Sequence, residues 1–211
     1  MAGKIQLSKP LVTSAEESII NKVIKSHFWA SGSGVGYVKK FENSLNKFTG
    51  SNTCIGVNSG TAALNLALSL FDLKNKEVLI PSLTFVSTAH AVILNGAKPI
   101  FVDVNPETLC IDEKQIQNSI TKNTKAIIPV HFAGFPCNLT AIRSICKKNN
   151  LCLIEDAAHA IGSTFNNKKI GAHGDAVCFS FHPVKNLAMP TGGAITINHK
   201  NHKKFRKQLE S

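Results

Sequence analysis

Long hydrophobic runs are missing from this 211-residue chain, and none approaches the roughly 20 residues that a membrane helix needs. The opening residues, Met1-Ala2-Gly3-Lys4-Ile5-Gln6, lack the apolar stretch of a signal peptide, which predicts a cytoplasmic protein. The six cysteines form no Cys-x-x-Cys pair and lie mostly in apolar segments, which indicates reduced core residues rather than disulfides or a zinc site. Internal repeats and Pro/Gly/Ser-rich linkers are also lacking. The length suits one large domain or two small ones, and 43% hydrophobic residues are enough for a proper core.

The charge is strongly positive, with 24 Lys and Arg against 13 Asp and Glu and a net charge of +11. The lysines are spread along the chain, and no basic run is interleaved with aromatic residues. This distribution favours a solvated basic surface over a nucleic-acid interface, although the charge alone keeps nucleic-acid binding as an alternative. The histidines and cysteines show no metal-ligand spacing, so no metal site is expected.

Short β-type runs alternate with helical patterns through most of the chain. Ser14 and Glu17 have capping-box spacing at the start of the first predicted helix. The alternation predicts a largely parallel sheet covered on both faces and mixed near its end, with ligands bound at the carboxyl ends of the strands. Strands are expected at about 53–57, 77–80, 99–102, 125–130, 151–154, 176–181 and 194–197, and helices at about 14–26, 37–48, 61–71, 84–94, 113–120 and 139–148.

Three polar segments directly follow predicted strands. Ser59-Gly60-Thr61 opens an Ala-rich helix, where backbone amides and the helix dipole favour a phosphate, although an ordinary helix cap fits the same residues. Glu155 and Asp156 end an apolar strand, and one carboxylate is expected to face the ligand crevice. A buried carboxylate needs a cation or a protonated ring nitrogen as its partner. The alternative interpretation is a structural carboxylate that caps the next helix.

Lys185 follows the next strand in the segment Ser180-Phe181-His182-Pro183-Val184-Lys185-Asn186. A lysine at such a turn is usually a surface residue. Here His182, Pro183 and the small residues Thr191-Gly192-Gly193 restrict it, and partial desolvation beside a cationic ring lowers a lysine's pKa toward Schiff-base chemistry. Phe181 is predicted to be a core residue.

These segments and Pro81-Ser82-Leu83-Thr84-Phe85 together resemble the DegT/DnrJ/EryC1/StrS family. Its members are pyridoxal-phosphate-dependent aminotransferases that act on keto groups of nucleotide-linked sugars. The resemblance covers essentially the whole chain. It implies the aspartate-aminotransferase fold, whose large domain is a three-layer α/β/α structure with a mixed, mostly parallel seven-stranded sheet.

The resemblance also implies roles for individual residues. Lys185 is expected to be the Schiff-base lysine and proton carrier, and Asp156 the partner of the pyridinium nitrogen. Phe85 is expected to stack on the cofactor ring, and His159 to lie near its phenolic oxygen. The phosphate is expected to lie against Ser59, Gly60, Thr61 and Ser180.

The implied reaction has glutamate as the amino donor, a keto sugar on a nucleoside diphosphate as the acceptor, and a homodimer as the working form. Residues 1–211 are expected to be the cofactor-binding large domain. It comprises an arm at about 1–36, a core at about 37–198 and the start of a connection at about 199–211 to a missing C-terminal domain. The alternative is a truncated relative that binds the cofactor without turnover and has a regulatory or scaffold role. Lys185 argues against the dehydratase branch, which has histidine at that position.

Overall fold

The computed structural model describes residues 8–27 and 36–210. In these residues the helices are α1 (Ser14–Lys25), α2 (Tyr37–Thr49), α3 (Gly60–Ser69), α4 (Val86–Leu94), α5 (Glu113–Ser119), α6 (Leu139–Asn149) and α7 (His202–Glu210). The strands are β1 (Thr53–Val57), β2 (Glu77–Pro81), β3 (Lys98–Val102), β4 (Thr124–Ile127), β5 (Cys152–Asp156), β6 (Thr164–Phe165), β7 (Lys168–Lys169), β8 (Ala176–Ser180) and β9 (Gly193–Ile197). Part of the predicted arm, 1–36, lies outside the described residues.

Seven strands form one mixed sheet in the order β1-β9-β8-β5-β4-β2-β3. The pairs from β8 through β5, β4 and β2 to β3 are parallel. Strand β9 is antiparallel to both of its neighbours, β8 and β1. Six strands therefore run in the same direction, and their carboxyl ends lie along one edge of the sheet. The predicted α/β class and the mixed, mostly parallel sheet are confirmed.

Side chains alternate between two apolar layers along the central strands, as expected for a sheet buried on both faces. On β2, Val78 and Ile80 pack with helices α3 and α4, whereas Leu79 packs on the opposite face with α5 and α6. The other half of that opposite face is covered by Leu45 of α2 and by Phe179 and Phe181. Both phenylalanines are fully buried, so the prediction that Phe181 is a core residue is confirmed.

Four local features differ from the sequence-based expectation. The capping box of α1 uses Thr13 and Glu16 instead of Ser14 and Glu17. Both pairs have the required spacing, but only Thr13 has the extended backbone of a cap residue. The hairpin β6–β7 and the short 3-10 helix Phe132–Gly134 were not predicted. Helix α7 was also not predicted, and its Phe205 is buried in the core beside α3.

Arg206 of α7 forms hydrogen bonds along the outer edge of strand β1. Its guanidinium donates to Thr53 Oγ1 at 2.9 Å, to the Cys54 carbonyl at 3.1 Å and to Glu42 Oε2 at 2.9 Å. The other oxygen of the buried Glu42 carboxylate accepts the Gly56 amide at 3.0 Å. The unpaired side of this edge strand is thus closed by an ion pair, and β1 leads directly into the segment after Val57.

An Arg206→Met chain is expected to lose about 2 kcal/mol of unfolding free energy, because hydrogen bonds to charged groups are lost and Glu42 keeps no cation of similar quality. Chemical denaturation followed by circular dichroism measures the loss. Lys207→Met is the matched control, since Lys207 is the next residue of α7 and is exposed. Equal denaturation midpoints for the two variants would contradict the role given to Arg206.

Candidate active site

A cavity of about 510 Å³ opens at the carboxyl edge of the sheet. It lies where β1, β2, β5 and β8 end and where β9 begins, as expected for an open α/β sheet. All eight residues singled out from the sequence line it: Ser59, Gly60, Thr61, Phe85, Asp156, His159, Ser180 and Lys185. The fold thus brings distant residues to one site: Ser59 and Lys185 are 126 positions apart in sequence.

The N-terminus of α3 forms one wall of the cavity. Ser59 caps the helix, with its hydroxyl accepting the Ala62 amide at 3.1 Å. Because the helix begins at Gly60, the amides of Gly60 and Thr61 have no helical acceptor and can bind an anion. The two interpretations of this segment, cap and phosphate site, are therefore compatible. The cap uses the Ser59 side chain, and the backbone amides are left to an anion.

Gly60 allows α3 to lie directly against the end of β8. A Cβ atom at this position would lie 2.7 Å from Ser180 Cβ and 3.1 Å from Ser180 Oγ. Both contacts are with a buried residue of a central strand, so neither side can move freely. Close approach therefore requires glycine here, and it places the Ser180 hydroxyl beside the first amides of α3.

A Gly60→Ala chain is expected to unfold with a free energy lower by about 1–3 kcal/mol, since an extra methyl must be forced into a filled contact. It is also expected to bind inorganic phosphate more weakly, because the amides of α3 move away from Ser180. Denaturant unfolding and phosphate titration by NMR measure the two effects. Gly56→Ala is the control, because its Cβ would meet only ordinary contacts, the nearest at 3.4 Å. Identical behaviour of the two variants would disprove the packing argument.

Asp156 is the carboxylate that faces the cavity, at the end of β5. Its side chain accepts the Thr88 hydroxyl at 2.9 Å and the Ala158 amide at 3.1 Å, and the residue is only 5% exposed. None of the ion pairs among residues 8–27 and 36–210 involves Asp156. Glu155 points away from the cavity, to the other side of the strand, and contacts His131. As predicted, one of the two carboxylates faces the crevice.

Lys185 lies in the loop between β8 and β9, where its amide donates to the His182 carbonyl at 2.8 Å. The side chain is half-buried at the cavity wall. Burial lowers the pKa of the Lys185 amine below its ordinary value, and the negative charge of Asp156 partly opposes that shift. Lys185 is therefore partly desolvated, as predicted. At a given pH, a larger fraction of its amine is neutral and nucleophilic than in a fully exposed lysine.

His159 and Phe85 stand at the cavity on other elements. The half-buried His159 has a lowered pKa, caused first by burial and then by the positive charge of Lys185, while Asp156 opposes the shift. Its ring is therefore neutral at neutral pH. Phe85 precedes α4 at the mouth of the cavity and is 74% exposed. An aromatic face with this exposure is available for stacking on a flat ring.

Thr88 is a site residue that the sequence analysis missed. It is fully buried on α4, donates to Asp156 and contacts the Thr84 hydroxyl at 2.7 Å. The available signal was a pair of threonines spaced i, i+4 at the start of an otherwise apolar helix. Thr191 and Gly192 also line the cavity, and Gly192 bridges to Ser59.

Other site types receive no support from the described residues. They contain no group of three or more His, Cys, Asp or Glu side chains that could hold a metal. No helix in the part of the chain that the structure describes is long and apolar enough to span a bilayer. The six cysteines are free thiols, five of them buried, in agreement with the prediction of reduced core residues.

Comparison with known proteins identifies the family. The model of the DegT/DnrJ/EryC1/StrS aminotransferase family matches residues 11–211. The chain belongs to this family. Pyridoxal phosphate is the cofactor of the DegT/DnrJ/EryC1/StrS family, and one similar structure, Spr1654 of Streptococcus pneumoniae, has been solved in apo, pyridoxal phosphate and pyridoxamine phosphate forms.

Three similar proteins show the extent of the likeness. The uncharacterised protein MJ1066 of Methanocaldococcus jannaschii is 44% identical over 161 residues, which cover 76% of this chain and 42% of that protein. Apo Spr1654, described as a sugar aminotransferase, has a TM-score of 0.89 at 27% identity, over 98% of this chain and 56% of its own. DesI, solved in the presence of its TDP-sugar product, has a TM-score of 0.85 at 28% identity, over 96% of this chain and 51% of its own. The chain thus spans about half the length of these family members.

Proposed function

We propose that this chain binds pyridoxal phosphate in the cavity and takes part in transferring an amino group to the keto group of a nucleotide-linked sugar. The observation that carries the proposal is that Asp156 and Lys185 line the same cavity, beside the N-terminus of α3. A buried carboxylate, an amine of lowered pKa and a set of anion-binding amides match three different parts of this cofactor. The alternative of a nucleic-acid interface rests on net charge alone.

The residues present fit the cofactor part by part. The Asp156 carboxylate has two neutral donors and no cation paired with it among the described ion pairs, so a protonated ring nitrogen is a suitable partner. The amides of Gly60 and Thr61, with the Ser180 hydroxyl beside them, provide neutral donors for a phosphate. The Phe85 side chain offers an aromatic face at the same cavity.

When bound, pyridoxal phosphate supplies an electron sink that stabilises negative charge on the substrate carbon. In this arrangement Asp156 holds the proton on the ring nitrogen, which keeps the ring electron-poor. Lys185 would hold the cofactor covalently through Nζ and would carry a proton to and from the reacting carbon. His159, which lies near Lys185, would donate a hydrogen bond to the phenolic oxygen of the cofactor.

Similar members of the family support the proposed substrate class. DesI was solved with a TDP-sugar product, and Spr1654 is described as a sugar aminotransferase. We therefore assign a nucleotide-linked keto sugar as the acceptor, within amino-sugar or polysaccharide biosynthesis. The resemblance to the family implies glutamate, which we propose as the donor. The free cysteines support a reducing compartment, and we place the reaction in the cytoplasm.

A homodimer is the proposed working form. Helix α1 has no buried residue, although Ile19 and Ile20 lie on it and are each about half exposed. An amphipathic helix with no fully buried residue among residues 8–27 and 36–210 is suited to packing against a second copy. Light scattering coupled to size-exclusion chromatography measures the mass, and a monomer at all concentrations tested would overturn the dimer.

The test of function uses the chain with pyridoxal phosphate, glutamate and a panel of nucleotide-linked keto sugars. The expected results are a new absorption band on cofactor binding, loss of that band with glutamate, and an amino sugar detected by mass spectrometry. A cofactor band that glutamate does not change would instead support the non-catalytic relative. No cofactor binding at all would overturn the proposal for this chain.

A further inference from the structure

A fully buried hydrogen-bonded pair, which the proposed chemistry does not use, lies directly behind Asp156. His131 Nε2 and Glu155 Oε2 are 2.8 Å apart, and both side chains are inaccessible to solvent. The other oxygen of Glu155 accepts the Gly174 amide, and His131 Nδ1 accepts the Cys137 amide at 3.1 Å. Each polar atom of the pair therefore has one defined partner.

These contacts determine where the proton lies on the His131 ring. Nδ1 accepts a hydrogen bond from a backbone amide, so it carries no proton. Nε2 must then carry the proton and donate it to the Glu155 carboxylate. A neutral histidine of this tautomer satisfies both neighbours, whereas the opposite tautomer would place two donors face to face at Cys137.

His131 also ties together the two ends of one loop. Its backbone amide donates to the Asp156 carbonyl at 3.0 Å, and its ring holds the amide of Cys137 six residues later. Within this loop, Ala133 has a positive φ of 50°, which is uncommon for a residue other than glycine and requires support from its surroundings. The hydrogen bond of the His131 ring therefore stabilises a turn whose backbone conformation is unfavourable.

The amide of Ala133 donates to His159 Nδ1 at 3.3 Å. The loop is pressed against the same segment elsewhere, because Ser163 Oγ donates to the Gly134 carbonyl at 2.7 Å. A Cβ atom on Gly134 would lie only 3.0 Å from the His159 carbonyl, so the two segments pack tightly. The turn at Ala133 thus sets the position of the His159 ring and the nitrogen that can donate from it.

We propose that His131, oriented by Glu155, is a positioning residue that holds the Ala133 amide against His159 and so keeps His159 protonated on Nε2. The inference rests on the proposed function only in assigning the cofactor to the cavity that His159 lines. In that setting the outward nitrogen of His159 is always a donor, which suits an anionic oxygen and does not suit a cation.

The test measures the ring nitrogens of the eight histidines by long-range ¹H–¹⁵N correlation spectroscopy on the ¹⁵N-histidine-labelled chain without cofactor. His159 and His131 are assigned from the signals missing in His159→Asn and His131→Gln. Both rings are expected to show the neutral tautomer with the proton on Nε2. A proton on Nδ1 of His159 in the unaltered chain overturns the proposal, and this result requires no folded variant.

His131→Gln separates positioning from mere burial. Glutamine retains an amide donor for Glu155, so the buried carboxylate stays paired, but it has a carbon atom where His131 has Nδ1 and so offers the Cys137 amide no acceptor at that position. In this variant the His159 signals are expected to shift toward an average of the two tautomers. The control is His173→Gln, the same substitution at another buried histidine, whose Nε2 contacts the Lys168 carbonyl. A folded His131→Gln chain whose His159 signals are unchanged would contradict the proposal.

These spectra are recorded without pyridoxal phosphate, so failure of the proposed function leaves them unaffected. Conversely, a wrong tautomer with normal cofactor binding would reject the positioning role of His131 and leave the proposed function standing.

Discussion

A Lys185→Ala chain treated with pyridoxal phosphate and then borohydride is expected to carry no reduced cofactor in its cavity, whereas the unaltered chain carries it on Lys185. The bond at issue joins Nζ to the aldehyde carbon of the cofactor with loss of water, and hydride reduction makes it permanent. Burial lowers the pKa of Lys185, so its neutral, bond-forming amine is present at lower pH than that of an ordinary lysine. Amino transfer is expected to fall by about 10²- to 10⁴-fold from the lost proton transfer alone.

Peptide mapping by mass spectrometry locates the label, and Lys200→Ala is the matched control because Lys200 is exposed and away from the cavity. The control is expected to label and turn over as the unaltered chain does. If the cavity of Lys185→Ala still took up a borohydride-reducible cofactor at full occupancy, another lysine would have to be the covalent residue.

The elements and three parts of the site, the start of α3, Asp156 and Lys185, could be predicted from the residues because each depends on local chemistry. Phe85 and His159 were expected only from the resemblance to the family. Strand β1, for example, was predicted with the bounds that the structure shows, since Thr53–Val57 is an apolar run between turn residues. Asp156 and Lys185 were found because polar residues directly after buried strands meet at one edge of the sheet. Their placement in one cavity follows from topology, and their roles remain predictions until tested.

What was missed depends on contacts between distant segments. The sequence of helix α7 is basic and polar and does not by itself indicate an ordered helix. The helix is held because Phe205 packs in the core and Arg206 bonds to Glu42. Likewise, the i, i+4 spacing of Thr84 and Thr88 does not reveal that the partner of Thr88 is Asp156, 68 residues away. The two-residue strands β6 and β7 carry too little periodicity for any pattern to predict them.

An Asp156→Asn chain is expected to fold normally but to bind pyridoxal phosphate about 10- to 100-fold more weakly. Asparagine has the same shape, and the hydroxyls of Thr88 and Thr84, 2.7 Å apart, can reverse their hydrogen bond to accept its new amide donor. The variant lacks the negative charge that holds a proton on the cofactor ring. A hydrogen bond to a charged group is worth about 1.5–3 kcal/mol, which corresponds to this loss of affinity. Titration of the chain with cofactor, followed by absorbance, measures it.

The same substitution has a second consequence at Lys185 that can be measured without the cofactor. Because the Asp156 carboxylate raises the pKa of the Lys185 amine against the effect of burial, its removal lowers that pKa further. The pH at which Lys185 becomes reactive toward an acylating reagent is therefore expected to fall in Asp156→Asn and to stay unchanged in Asp103→Asn, an exposed control. A lower reactive pH together with unaltered cofactor affinity would show that Asp156 faces Lys185 but not the ring nitrogen. An unchanged reactive pH would show that the two groups do not share the cavity.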